Sequence, residues 1–371
     1  MPRNIVILFS DTGGGHRASG EAIRDALVAE YGAEAQVTMV DVLKQYSPYP
    51  LNRLPAWYPE LSRRRQLWKY GYRLTDGAQR FRLINTLLWP YLPSGTLKFL
   101  QDYRADVYVA VHPLYLTPLL NALGSPRPPV IMVVTDLVSI HAIWCHPDVD
   151  LYIVPTQPAR ERVISFGVAP AKVRVAGLPV AARFCVPVGD RAGLRARLGW
   201  GNGRPVVLAV GGGDGLGRLG EIAQAIAASG LDCELAVVAG RNQALRASLE
   251  AVTWQVPTHV YGFVTEMADL MRAADVLVTK AGPSTLCEAF SAGLPIILYD
   301  YLPGQEEGNV SYVVESGAGQ LALGSRAVVE ALRKWLGPQA QPQALAQAAL
   351  NAKRLAQPDA ATRIAELVWN Y

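Results

Sequence analysis

A chain of 371 residues, 50% hydrophobic and 18% charged, is longer than one hydrophobic core usually serves and points to two domains of ordinary size. Its 33 Gly and 26 Pro follow no fixed period, which excludes a collagen-like or disordered chain, and no apolar run approaches the roughly 20 residues that span a bilayer. The net charge of +4 is unevenly spread, because residues 51–100 hold nine Lys or Arg against two acids and leave the remainder at −3.

Taken in chain order, residues 4–9 form a continuous apolar run of the kind that makes a buried parallel strand. The N-terminus lacks a small-residue cleavage pattern, so a cytoplasmic protein is expected. The loop Ser10-Asp11-Thr12-Gly13-Gly14-Gly15 follows at once, and Ala18, Ala22, Ile23, Ala26 and Leu27 then recur at helical spacing. Further apolar runs at 37–42, 106–111, 130–134, 151–154 and 173–176, mostly separated by helical stretches, predict a doubly wound sheet. Residues 177–203, with two Pro, six Gly and many Arg, read as a hinge region. The same grammar restarts at 205–210, runs into Gly211-Gly212-Gly213-Asp214-Gly215-Leu216-Gly217, and continues with strands at 234–239, 259–261, 276–279 and 296–299. The tail from 342 onward is Ala-rich and reads as helical. Ligands of such sheets sit at strand C-terminal ends, so the site is expected in a cleft where two such domains face each other.

The first glycine loop leads to His16 at a helix start, where unpaired N–H groups favour an anion or a hydroxyl; the bland alternative is simple capping. The loop lacks the Lys of a nucleoside-triphosphatase phosphate loop. The second loop resembles a dinucleotide fingerprint, yet the strand after it ends in Gly240-Arg241 without the acid that would hold an adenosine ribose. NAD is therefore disfavoured, and a diphosphate near Arg241 or an ordinary turn remain open. Farther on, Ser284, Thr285 and Glu288 follow a strand; they read either as a phosphate and ribose-diol site or as a capping box. The loop from Asp300 to Asn309 is rich in acceptors and suits sugar hydroxyls or plain solvent. Residues 51–100 add nine aromatics, including Trp57, Trp68 and Trp89, to their basic side chains, the mixture of a lipid headgroup layer; a packed helical insertion and nucleic acid are the weaker readings. Cys145, Cys185, Cys233 and Cys287 form no CxxC pair, so neither a zinc knuckle nor a disulfide framework is expected. His141 and His146 stand five apart before a proline, a poor zinc pair; with Trp144 and Asp136 they fall near the end of the 130–134 strand. Asp148-Val149-Asp150 reads as a loop, although some sugar transferases hold a divalent ion with such a pair.

These motifs together resemble the monogalactosyldiacylglycerol synthase family, with its bacterial diglucosyldiacylglycerol synthase relatives and the similar peptidoglycan transferase that makes lipid II. The parts that carry the resemblance are the loop from Ser10 to Ser19, Val134-Thr135-Asp136-Leu137 with His141 and His146, Gly177-Leu178-Pro179-Val180, Thr279-Lys280-Ala281-Gly282-Pro283 with Glu288, and Pro303-Gly304-Gln305-Glu306-Glu307-Gly308-Asn309. The resemblance implies an α/β GT-B fold of two Rossmann-like domains: an acceptor and membrane-binding domain over 1–180 with the basic aromatic segment near 46–100, a UDP-sugar domain over 181–342, and a C-terminal helix over 343–371 that crosses back to the first domain. It implies inverting, metal-independent transfer of a hexose from a UDP-sugar to the sn-3 hydroxyl of 1,2-diacylglycerol, with no cofactor. His16 would be the base and Asp136 a second base candidate or its orienting group. Gly212, Gly213, Arg241, Ser284 and Thr285 would meet the diphosphate, Glu288 the ribose, Phe263 and Met267 the uracil, and Gln305 and Glu306 the sugar, with Gly282 and Asn309 also among the donor-binding residues. Gly14, Gly15, His141, Trp144 and His146 would meet the acceptor. The run from Gln305 to Val314 is closer to the galactosyl branch than to the glucosyl one. Partners would be UDP-sugar, diacylglycerol and anionic lipids, not nucleic acid, with the protein held on the inner face of the cell membrane. A glucosyl enzyme, including a processive one, a UDP-N-acetylglucosamine 2-epimerase-type isomerase and a non-catalytic UDP-sugar sensor are the alternatives.

Overall fold

The computed structural model describes residues 2–12, 14–77, 80, 92–187, 189–213, 215 and 218–371. Two compact units emerge, one made of Met1–Ala182, Pro303–Gly308 and Asp359–Tyr371, the other of Arg183–Leu302 and Asn309–Pro358.

In the first unit the strands are β1 (Arg3–Phe9), β2 (Ala35–Asp41), β3 (Val107–Ala110), β4 (Val130–Val133), β5 (Leu151–Val154) and β6 (Val173–Val175). They pair in parallel in the order β2-β1-β3-β4-β5-β6. The twofold alternation of a strand sends Ile5, Ile7 and Phe9 to one face of the sheet and Val6 and Leu8 to the other, and each set joins its own core cluster. Helix Gly15–Tyr31 brings Ile23 and Leu27 to the first face, where Ile364, Ala365 and Val368 of helix Ala360–Trp369 join them. Chain order reverses beside β1, which has β2 on one side and β3 on the other, so the loops leaving β1 and β3 diverge and open a crevice at their C-terminal ends.

The second unit repeats the plan with β7 (Val206–Val210), β8 (Glu234–Val238), β9 (Thr258–Tyr261), β10 (Val276–Lys280), β11 (Ile296–Asp300) and β12 (Gly319–Leu321), in the order β12-β11-β10-β7-β8-β9. Its reversal falls between β7 and β10. The three-residue edge strand β12 was not anticipated from the sequence, which offers no long apolar run there.

Two sequence expectations need correction. Much of the expected hinge is structured: Arg191–Leu198 is a helix of the second unit, capped by Asp190 and tied down by Arg191 and Arg195, both on Asp275 at 2.8 and 2.6 Å. The tail is two helices, Pro342–Leu355 and Ala360–Trp369, because Pro358 disfavours a helical conformation at the residue before it. No described helix is long and apolar enough to cross a membrane.

Candidate active site

The crevice beside β1 in the first unit is where the side chains of two histidines meet. Gly14 takes the N-cap position at φ 81°, a left-handed conformation that glycine adopts without strain, and Gly15 opens the helix that carries His16. The His16 Nδ1 lies 2.9 Å from the carbonyl oxygen of Val111, just past β3, and 2.8 Å from Thr135 Oγ1, just past β4. A carbonyl oxygen can only accept, so Nδ1 carries the ring hydrogen and Nε2 the free lone pair. Burial lowers the His16 pKa to about 4, against the backbone bond to Val111 that raises it. The ring is thus neutral at physiological pH and fit to accept a proton at Nε2.

His112, beyond β3, stands edge to face against His16 with ring centres 4.6 Å apart. Its Nδ1 accepts from the Leu114 N–H, so its Nε2–H donates to Thr12 Oγ1 at 3.0 Å and secures the glycine loop. Burial and then the charge of His16 hold His112 well below the usual imidazole range. On the other side, the Trp144 ring lies 6.0 Å from His16 and donates its Nε1–H to Asp136 Oδ2 at 2.8 Å, while Gln305 Nε2 donates to Asp136 Oδ1 at 3.2 Å. Burial pushes Asp136 up to about 6; the bonds from Gln305 and Trp144 pull it down, and the nearby Glu306 pushes it further up.

Of the residues expected at the acceptor, Trp144 joins this cluster, while His141 and His146 bond to groups of neighbouring loops and helix ends. His141 accepts from Ile143 N–H through Nδ1, and its Nε2 lies 3.1 Å from Tyr72 O and 3.2 Å from Thr75 Oγ1, so it fastens the end of helix Arg65–Thr75. His146 accepts from the Asp148 N–H at 3.3 Å and its backbone is gripped by Tyr152, which makes it a loop anchor. Asp150 is taken up by Arg127 at 2.6 Å and by the Val130 N–H at 2.8 Å, in line with the loop reading of Asp148-Val149-Asp150. Among the described residues no group of three or more His, Cys, Asp or Glu side chains is arranged to hold a metal ion.

In the second unit the expected donor residues follow the C-terminal ends of β7, β8, β9 and β10. Gly212 lies after β7, and a Cβ there would stand 3.3 Å from Lys280 Cε at the end of β10. The Arg241 N–H donates to Gly213 O at 2.9 Å, and the Arg241 guanidinium lies 4.8 Å from the centre of the exposed Phe263 ring. Asp214, Leu216 and Gly217 of this loop lie outside the described residues, as do Gly13 and Trp89. Met267 opens helix Met267–Ala273. Helix Pro283–Ala292 has Gly282 as its N-cap with no side-chain cap, so Thr285 and Glu288 do not form a capping box. The N–H groups of Ser284 and Thr285, in the first turn, precede the reach of intrahelical bonds. Burial drives Glu288 up to about 8, against the opposing charge of Arg183. Buried Asn309 donates to Ala281 O at 2.9 Å, and its Oδ1 finds no partner among the described residues. Gln305 and Glu306 fall in the first unit, with Gln305 on Asp136.

Sequence reasoning passed over His112, Thr135 and Lys280 as site residues. Lys280 ends β10, and His112 and Thr135 stand two residues beyond β3 and β4, a signal that the position of the apolar runs already carried.

Two doubly wound parallel α/β units, with polar and glycine-rich loops at both strand reversals, form the GT-B architecture. A family model described as "Monogalactosyldiacylglycerol (MGDG) synthase" matches residues 16–180, and one described as "Glycosyltransferase family 28 C-terminal domain" matches residues 211–364. The chain is 38% identical over 374 residues to the "Probable monogalactosyldiacylglycerol synthase, chloroplastic" of Glycine max, covering 98% of this chain and 70% of that protein. It is 37% identical over 378 residues to "Monogalactosyldiacylglycerol synthase 1, chloroplastic" of Arabidopsis thaliana, with the same coverage of 98% and 70%. The crystal structure of Acinetobacter baumannii MurG superposes with a TM-score of 0.65 at 16% identity, covering 100% of both chains, a likeness of fold. The chain belongs to the monogalactosyldiacylglycerol synthase family and is a glycosyltransferase that acts on diacylglycerol. The relatives are chloroplastic by name, which overturns the expectation of a cytoplasmic protein on the inner face of the cell membrane.

Proposed function

We propose that the protein transfers galactose from UDP-galactose to the sn-3 hydroxyl of 1,2-diacylglycerol at a membrane surface, with inversion at the anomeric carbon. The observation that carries this reading is the neutral His16 ring, its Nδ1–H committed to Val111 O and its Nε2 lone pair left for a proton. The acceptor hydroxyl gives its proton to Nε2 while its oxygen attacks the anomeric carbon. The bond from that carbon to the diphosphate breaks, and its electron pair leaves with UDP. The imidazolium then returns its proton to solvent. The leaving diphosphate would be met by N–H groups at Gly212 and Gly213, by Arg241, and by the N-terminus of helix Pro283–Ala292 at Ser284 and Thr285. Glu288 would accept from the ribose diol, Phe263 and Met267 would bracket the uracil, and Gln305, Glu306 and Asn309 would take the sugar hydroxyls.

Support for a lipid surface comes from helices Leu54–Arg63 and Arg65–Thr75. Trp57 and Leu61 stand four apart, and Leu67, Tyr70 and Leu74 three and four apart, all exposed, with exposed Arg53, Arg64, Arg65 and Arg73 around them. An apolar ridge flanked by cations suits anionic headgroups over acyl chains. The galactose preference rests on the run from Gln305 to Val314.

The test is product analysis of purified protein with UDP-galactose or UDP-glucose and diacylglycerol in anionic vesicles, with a chelator present. The expected result is a β-galactosyl lipid formed from UDP-galactose, faster than any glucosyl product. Preference for UDP-glucose would give the glucosyl enzyme, and loss of turnover with chelator would return a metal to the reaction. UDP-sugar binding without any lipid product would sink the transferase reading.

A further inference from the structure

We propose that Thr135 is a positioning residue for His16, its hydroxyl oxygen sharing the Nδ1–H with the Val111 carbonyl and stabilising the ring as it takes the acceptor's proton; this rests on His16 being the base. In many general-base histidines a carboxylate occupies the nitrogen remote from the substrate. Here two neutral oxygens do so, Val111 O at 2.9 Å and Thr135 Oγ1 at 2.8 Å. Thr135 is 3% exposed, so water cannot readily take its place. Its own hydroxyl hydrogen points toward Val111 O at 3.5 Å, which leaves its lone pairs to the imidazole.

The chemistry of this arrangement differs between the resting and reacting states. Two neutral acceptors add little to the resting ring, which therefore stays unprotonated. When Nε2 receives the proton, positive charge spreads to Nδ1, and both bonds become charge-assisted, roughly twice as strong as neutral ones. A bond that strengthens as the proton arrives lowers the barrier without tightening substrate binding. Thr135 is therefore expected to act on kcat and to leave KM nearly alone. The other ionisable groups facing the ring do not supply this effect: His112 is neutral and commits its Nε2–H to Thr12, and Asp136 is bonded to Trp144 and Gln305.

Thr135→Val keeps the shape and removes the oxygen, while Thr135→Ser keeps the oxygen and removes a methyl group. Thr135→Val should lower kcat roughly tenfold with KM for UDP-galactose within about twofold, since one of two hydrogen bonds to the charged ring is lost while the Val111 carbonyl still holds it. Thr135→Ser should restore most of the rate. The acid limb of kcat should move to lower pH in Thr135→Val, because the imidazolium loses one acceptor. Wild-type turnover and pH profile in Thr135→Val, or an equal loss in Thr135→Ser, would overturn the proposal. His16→Ala, run alongside, separates the two readings: if it keeps turnover, the base assignment itself fails. Should Thr135→Val not fold, nitrogen NMR of the wild-type His16 ring decides the matter. A hydrogen found on Nδ1 supports the arrangement, and a hydrogen on Nε2 removes it.

Discussion

At the scale of single residues, His16 and Asp136 are pushed in opposite directions by the same cause. Burial disfavours the charged form of each, which lowers the imidazole to about 4 and raises the carboxyl to about 6. This separates two roles that the sequence left unranked. If an ionised Asp136 is required, kcat/KM falls as pH drops through about 6; if His16 alone is required, activity persists until nearer pH 4. The stability consequence has a definite sign. The folded chain holds the Asp136 proton more tightly than the unfolded chain, so its stability declines as pH rises from about 3.8 through about 6, and the full penalty is present above that. Asp136→Asn removes the charge, and Gln305 can turn its amide to present an oxygen to the new NH2. The variant should gain up to about 3 kcal/mol at pH 8 and much less at pH 4.5, read by denaturant unfolding at the two pH values. A net loss at pH 8 would mean that Trp144 and Gln305 both need a carboxylate oxygen to donate to.

At the scale of elements, the strands and the first glycine loop could be read from the chain because apolar runs and glycines are local signals. The partners of His16 could not, because they depend on which strands lie side by side. His112 follows β3 with no glycine to mark it, and it meets His16 because β3 pairs with β1, a fact of sheet order. His141 and His146 show the complementary point: closeness in sequence to Asp136 suggested them for the acceptor, while the capping and loop bonds their rings make depend on the folded loop. In the second unit, the loops after β7 and β8 also come together through sheet order. Gly240 has φ +62°, and a Cβ there would fall 2.5 Å from Gly213 O and 2.7 Å from Gly212 O. Gly240→Ala thus combines a left-handed strain of roughly 1 kcal/mol with displacement of the loop proposed to meet the diphosphate. Calorimetry with UDP should show affinity reduced tenfold or more while the far-ultraviolet circular dichroism of the protein is unchanged. Undiminished affinity would take Gly212 and Gly213 out of the donor site.

At the scale of the whole molecule, the chain is shared unevenly between its two units, and the tail shows what that sharing does. Helix Pro342–Leu355 belongs to the second unit and helix Ala360–Trp369 to the first. The last helix is not a surface appendage there. Ile364, Ala365 and Val368 are fully buried with Ile5, Ile7, Ile23 and Leu27, and Trp369 stacks on Tyr31 with ring centres 4.0 Å apart. The first unit therefore completes its core with the final residues of the sequence, and its glycine-loop helix is held from behind by them. Ile364→Ala should cost about 3 kcal/mol, the sum of lost burial and a cavity that packed neighbours fill poorly. Because the second unit has a separate core, hydrogen exchange should speed up in β1, β3 and helix Gly15–Tyr31 while β7, β8 and β10 keep their protection. UDP affinity should be preserved while galactosyl transfer falls with the fraction of the first unit that is folded. Equal loss of protection in both units would mean that they unfold as one cooperative body, and the last helix would then stabilise the donor site as much as the base.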